Sequence, residues 1–187
     1  MCIVTDKISG HFPDIDLRCI GKWLFHTHGE GNYMQGTVRK NEIGALVKNE
    51  IKRLNEKSRF QETKKYMQHG RVSVYEHCVR VAYTSCYLAA ALKIPVDRTA
   101  LVRGALLHDY FLYDWHEKGE GHSLHGFFHP RKAWENARQD MPLGDIEKNI
   151  ILRHMFPLTV VPPQFREAWL VCAADKICAM RETVSKR

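Results

Sequence analysis

Six side chains able to bind a cation occupy positions that helical periodicity assigns to apolar residues. In "SVYEHCVRVAYTSCYLAAALKI", His77 shares a face with Val74 and Val81 through three- and four-residue spacing. In "RTALVRGALLHD", His108 follows Leu101 and Ala105 on one stripe, and Asp109 lies beside Val102 and Ala105. His129 opens "HPRKAWENARQDM", and His154 continues the row of Ile146 and Ile150 in "LGDIEKNIILRHM". Asp175 sits inside "AWLVCAADKICAM", apolar almost all round. Five helices therefore each aim at least one imidazole or carboxylate at the interior.

Taken singly, each has a plain structural explanation. A histidine on an apolar face is more often a hydrogen-bonded core residue than a ligand, and a buried aspartate usually caps a helix or pairs with arginine. The set is different. An ionised carboxylate buried without compensation costs several kcal/mol or more. No lysine or arginine obviously shares the face of Asp175, since Lys176 points elsewhere on its helix. A divalent cation would compensate both carboxylates and engage the imidazoles at once. Four histidines with two aspartates suit iron, manganese, zinc, cobalt or nickel better than calcium.

The elements that must position these residues are helices. The spacing predicts one from Asn41 to about Gln68, with Ile43, Leu46, Val47, Ile51 and Leu54 on its apolar stripe and His69-Gly70 as its stop. A second carries His77 and stops near Pro95; a third begins at Asp97, a good N-cap, and ends on "HD". A long loop over 110–128 comes next, then a helix with Pro130 in its first turn, a fifth helix ended by Pro157, and a last one over "QFREAWLVCAADKICAMRETVSK". No alternating run predicts a strand. The expected fold is all-α: a single bundle of about six to eight helices over 41–187, preceded by a loop-rich extension over 1–40 within which Met34 is an alternative start.

Composition narrows the partner. The net charge of +7 and a pI near 9.1 favour an anionic one. The charge is scattered, as in "KNEIKRLNEKSRFQETKK", so a small phosphorylated substrate, a nucleotide included, ranks above nucleic acid. The six cysteines form no C-x-x-C pair, and four lie in helical patterns, which fits reduced thiols in a cytoplasmic protein. No apolar run approaches membrane-spanning length and no signal-peptide pattern is present, so no membrane association is expected; the oligomeric state is left open.

His77, then His108-Asp109, then Asp175 resembles the H…HD…D pattern of the HD-domain metal-dependent phosphohydrolase superfamily, and His129 with His154 resembles its six-ligand H…HD…H…H…D branch. "EHCVRVA", "GALLHD", "HPRKAWENA" and "ADK" are similar to the surrounding motifs, over about residues 69 to 180. Where many members continue as H-D-I-G-K, this chain has "HDYFLYDWH" and lacks that lysine. The resemblance implies two divalent transition metals, one held by His77, His108, Asp109 and Asp175, the other by His129 and His154 with Asp109 bridging. It implies hydrolysis of a phosphate ester, nucleotide or related phosphoanhydride by a metal-activated hydroxide. His125 would donate a proton to the leaving group or replace His129 as ligand; a solvated loop histidine is the alternative. Arg131, Lys132 and Lys176 would meet phosphate, Asp114 and His116 would orient ligands, and Tyr113 and Trp115 would stack on a base or pack in the core. His69 and Arg71 would reach the mouth of the site. Two other readings share the ligands: a di-iron oxygenase of the same fold, and a non-catalytic ligand-binding or regulatory module.

Overall fold

The computed structural model describes residues 33–69, 71–113 and 125–184. The expected N-terminal loop up to residue 32, with Cys2 and Cys19, and the segment 114–124, with Asp114, Trp115 and His116, lie outside the described residues. Contacts separate Met1–Thr37 from a compact unit, Val38–Arg187, which contains every candidate site residue. The described chain is helical: α1 (Tyr33–Lys57), a 3-10 helix (Phe60–Lys65), a hairpin of β1 (Met67–His69) and β2 (Val72–Ser73), then α2 (Val74–Ala91), α3 (Arg98–Leu107), α4 (His125–Asp140), α5 (Asp145–Arg153) and α6 (Arg166–Val184). No helix among the described residues is long and apolar enough to cross a membrane.

The all-α expectation holds, with three corrections. The first helix begins eight residues before Asn41 and stops at Lys57, not at His69. Its stop reflects burial: Phe60 is fully enclosed, against Tyr75 at 5.2 Å between ring centroids, and the chain must leave the helix axis to bury it. Ser58 makes the turn, its hydroxyl bonding back to Leu54 O at 2.7 Å and accepting from Phe60 N at 3.2 Å. Second, the residues after this turn form an antiparallel pair, Met67 opposite Ser73, too short for alternation to be visible in sequence. Third, α4 starts at His125, so Pro130 lies within the helix and residues 125–128, expected as loop, are helical.

Local signals set where the site helices begin. Ser73 accepts from Glu76 N at 3.2 Å while Glu76 Oε2 accepts from Ser73 N at 3.0 Å, a reciprocal cap one residue ahead of His77. Asp97 caps α3 as expected, accepting from Ala100 N at 2.9 Å, and its own N–H is taken by the buried Glu167 of α6 at 2.9 Å. The helix α2, buried on most sides, packs against α3 and α6, and α3 packs against α5. The α3–α5 approach is close because it crosses at Gly104: a Cβ there would stand 2.5 Å from Ile150 Cδ1 and 3.1 Å from its Cβ. One turn beyond each of these residues stand His108 and His154. On its outer side α3 is held by Arg103, which reaches Glu50 of α1 at 2.5 Å and Glu147 of α5 at 3.3 Å. Cys78, Cys86, Cys172 and Cys178 are buried free thiols.

Candidate metal centre

Two helices end on a candidate ligand. His108 is the C-cap of α3 and His154 the C-cap of α5. The last turn of a helix leaves carbonyls without an intrahelical donor. Each histidine turns its Nδ1–H back onto one of them: His108 to Ala105 O and His154 to Ile151 O, both at 2.8 Å. That bond fixes the tautomer, so both Nε2 atoms face inward with a lone pair to offer. The helix ends also concentrate negative dipole where a cation would sit. An imidazole and a carboxylate at the buried end of α3 thus combine a capping device with a pair of donors able to hold a cation.

All six residues are enclosed: His77 and His108 are 0% exposed, Asp109 and His154 1%, His129 4% and Asp175 8%. Their inward atoms converge. Asp109 is the hinge of the arrangement, because its two oxygens face different imidazole pairs. Oδ2 lies 3.4 Å from His108 Nε2 and 3.8 Å from His77 Nε2. Oδ1 lies 3.1 Å from His129 Nε2 and 3.4 Å from His154 Nε2. Asp175 Oδ1 closes the first set, 3.1 Å from His77 Nε2 and 3.8 Å from His108 Nε2. His129 and His154 bring their Nε2 atoms to 2.8 Å.

These separations suit cation ligands: donors sharing an ion through bonds of roughly 2.0–2.2 Å stand roughly 3 Å apart. His108 Nε2 and Asp109 Oδ1 are buried without a hydrogen-bond partner among the described residues, as atoms reserved for a metal would be. Two groups, His77–His108–Asp175 and His108–Asp109–His154, have ligand atoms close enough to hold an ion. With protons in place of cations, charge is balanced internally. Burial opposes an imidazolium at His77, yet hydrogen bonds to Asp175 and Glu182 outweigh it and raise His77 to about 10. His108 is raised well above its ordinary value too, against burial, chiefly by the negative charge of Asp109. Burial would lift both aspartates, but the facing imidazoles hold Asp109 and Asp175 well below the usual carboxylate range. Burial lowers His154.

The charge on His77 makes stability depend on pH. Unfolded histidine titrates near 6.5, roughly. The stability that charged His77 contributes is fully present below that value and is lost as pH rises toward about 10. Melting of the metal-free protein between pH 6.5 and 10 is expected to show a falling Tm; a flat profile would show that His77 is uncharged in the native state.

Periodicity does not reveal the groups that hold the ligands. Gln68, on β1, donates from Nε2 to Asp109 Oδ2 at 2.6 Å, and Glu182, near the end of α6, accepts from His77 Nδ1 at 2.9 Å. Both look like surface polar residues in sequence; only the seven-residue step from Asp175 to Glu182, which puts both on one helix face, is a readable signal. Gln68→Leu is expected to weaken divalent-cation binding about tenfold with helicity unchanged, the range typical of a lost ligand-orienting bond. Competition with a chelating dye measures it, and unchanged affinity would remove Gln68 from the site.

The cations are placed differently from the ligands. Arg131 is exposed and paired with Glu135 at 3.2 Å, and Lys132 is exposed on the same helix. Lys176 does not point away from the site: Nζ is 3.9 Å from Asp175 Oδ2 and donates to His154 O at 2.9 Å, tying the end of α5 to α6. Arg71 is exposed, and the side chains of His69 and His125 lie outside the described residues. Tyr113 packs on Phe111, and burial with the nearby Asp109 charge pushes its phenol up to about 12.

Compared with known proteins, the chain matches no curated protein and no solved structure. A family model does match: that of the HD domain, over residues 74–180. The stretch is more than half of the chain and contains all six converging side chains, while Gln68 and Glu182 fall just outside it. HD domains are helical and bind divalent metals, which agrees with the bundle and with its buried donors. The chain belongs to the HD-domain family.

Proposed function

We propose that this HD domain is a phosphohydrolase that holds two divalent transition ions and cleaves a phosphate ester, nucleotide or related phosphoanhydride. The observation that carries the reading is the split of Asp109, one oxygen toward His77 and His108 and the other toward His129 and His154. One carboxylate serving two imidazole pairs is what a pair of neighbouring ions requires. Asp175 completes the first set. When bound, such ions supply Lewis acidity toward phosphoryl oxygens and a water acidic enough to ionise near neutral pH.

The chain's own part is preorganisation. Backbone carbonyls hold His108 and His154 in one tautomer, Gln68 holds Asp109, and burial keeps bulk water from competing for the donors. The excess of positive charge draws an anionic substrate toward the domain. Arg131 and Lys132 on α4, with Lys176, are the cations assigned to phosphate, and His125 is assigned to protonate the leaving group.

The test is metal analysis of protein purified under reducing conditions, followed by reconstitution with manganese, iron, cobalt, zinc or nickel. Phosphate esters, nucleotides and dinucleoside polyphosphates are then screened with and without oxygen. Phosphate release that requires metal and ignores oxygen is expected. Turnover that consumes oxygen would replace hydrolase by oxygenase, and a protein that binds no transition metal would leave the six residues as ordinary core. Because His77 is raised to about 10 in the metal-free protein, cation loading near pH 8 is expected to release at least one proton. Calorimetry in buffers of different ionisation enthalpy counts the protons released.

A further inference from the structure

Glu182 lies seven residues beyond Asp175 on α6, so one face of that helix presents Asp175 to the centre and Glu182 behind it. The carboxylate is buried between two groups of α2: Oε2 takes the Nδ1–H of His77 at 2.9 Å, and Oε1 takes Arg80 Nη1 at 3.1 Å. His77 is therefore held at both nitrogens, by Glu182 on one side and Asp175 at 3.1 Å on the other. His108 and His154 give their Nδ1–H to neutral carbonyls instead. A carboxylate pulls on that proton far more strongly than a peptide carbonyl, which enriches electron density at Nε2 and makes the imidazole a better cation donor. A glutamate enclosed this far from water is expensive, and an apolar residue would pack there at less cost, so its charge calls for a reason other than packing.

Resting on the two-ion reading of the site, we propose that Glu182 is a positioning residue for His77. It makes the place formed by His77, His108, Asp109 and Asp175 the tighter of two, so that cations load in order. The place formed by His129, His154 and the other oxygen of Asp109 fills second. Arg80 shares the carboxylate with His77 without contacting a ligand, and so competes for its charge.

Metal-free full-length protein titrated with manganese, followed by electron paramagnetic resonance and by chelator competition, tests this. At one equivalent the wild type is expected to show a single-ion spectrum, giving way to a coupled pair at two. Glu182→Gln keeps the shape and an acceptor for Nδ1–H but removes the charge. It is expected to weaken the first constant about 10- to 100-fold and to move the second by less than about threefold. Arg80→Gln breaks the same ion pair yet leaves the carboxylate, so the first constant is expected to hold or tighten; this variant and the wild type decide the matter if Glu182→Gln does not fold. Coupled pairs already at one equivalent in wild type, an equal fall of both constants, an unchanged first constant in Glu182→Gln, or the same fall in Arg80→Gln would each overturn the proposal. A wild type that binds manganese in this way keeps the two-ion reading whatever Glu182 does; one that binds none sinks that reading first.

Discussion

Asp109→Ala is expected to empty both cation positions at once. Its oxygens meet His129 and His154 on one side and face His77 and His108 on the other. Without them four imidazoles confront one another with Asp175 left as the carboxylate that closes the first set. The proposed hydrolysis should fall by roughly 10³-fold, the order seen when preorganised electrostatic stabilisation of a transition state is lost. A thermal measurement reads the same loss without a substrate. A cation present at about a hundred times its Kd stabilises by about 2.7 kcal/mol, which for a chain of this size is roughly 5–10 °C in Tm. That rise should appear in wild type and vanish in Asp109→Ala. Asp175→Ala is the comparison: it removes one ligand of the first set, leaves the second intact, and should retain part of the rise and about one bound equivalent. If Asp109→Ala still binds two equivalents, the carboxylate does not bridge.

Gly104→Ala is expected to destabilise, although glycine to alanine within a helix ordinarily gains about 0.5–1 kcal/mol. The added methyl would meet Ile150 at 2.5 Å from Cδ1, 3.1 Å from Cβ and 3.2 Å from Cγ2. A rotamer change relieves the first contact but not the one to Cβ, so α3 and α5 must part. Overpacking of this kind costs about 1–3 kcal/mol, which exceeds the propensity gain. Separating these helices also separates His108 and His154, whose rings stand 4.8 Å apart edge to face. Tm should fall by several degrees and cation affinity about tenfold. In an Ile150→Ala background the added cost of Gly104→Ala should shrink by about 1 kcal/mol, the size of coupling found for residues in contact. Full additivity would show that the crossing does not set the distance between the histidines.

The inward residues are legible in sequence because a helix repeats: His77 between Val74 and Val81, or His154 after Ile146 and Ile150, needs only three- and four-residue steps to be placed. Asp97 is legible as a cap because its side chain acts locally, on Ala100 N. What is not legible depends on distant partners. "NEKSRFQETKK" continues the helical pattern, and the enclosure of Phe60 against Tyr75 and Tyr110 ends α1 within it, at Lys57. Arg59 and Asp140, 81 residues apart, look like two ordinary surface charges until the fold joins them at 2.9 Å, with Tyr110 donating to the same carboxylate at 2.6 Å. The helical position of Lys176 suggests a side chain directed away from the site; the flexible stem reaches back to His154 O nevertheless. Gln68 falls at the end of a helical pattern, and the short hairpin that carries it has no periodicity to detect.

The two ways of holding an imidazole in this bundle differ in how they tolerate mutational drift. His108 and His154 lean on carbonyls of Ala105 and Ile151, and every amino acid brings that oxygen along, so a change of side chain at either place leaves the bond itself available so long as the helix and its packing persist. His77 leans on a side chain 105 positions later, and a single substitution there can disturb it. Lineages diverging from this chain therefore inherit two candidate ligands whose supporting bond is insulated from sequence change and one whose support is exposed to it. Metal preference has its easiest route to retuning at the exposed one.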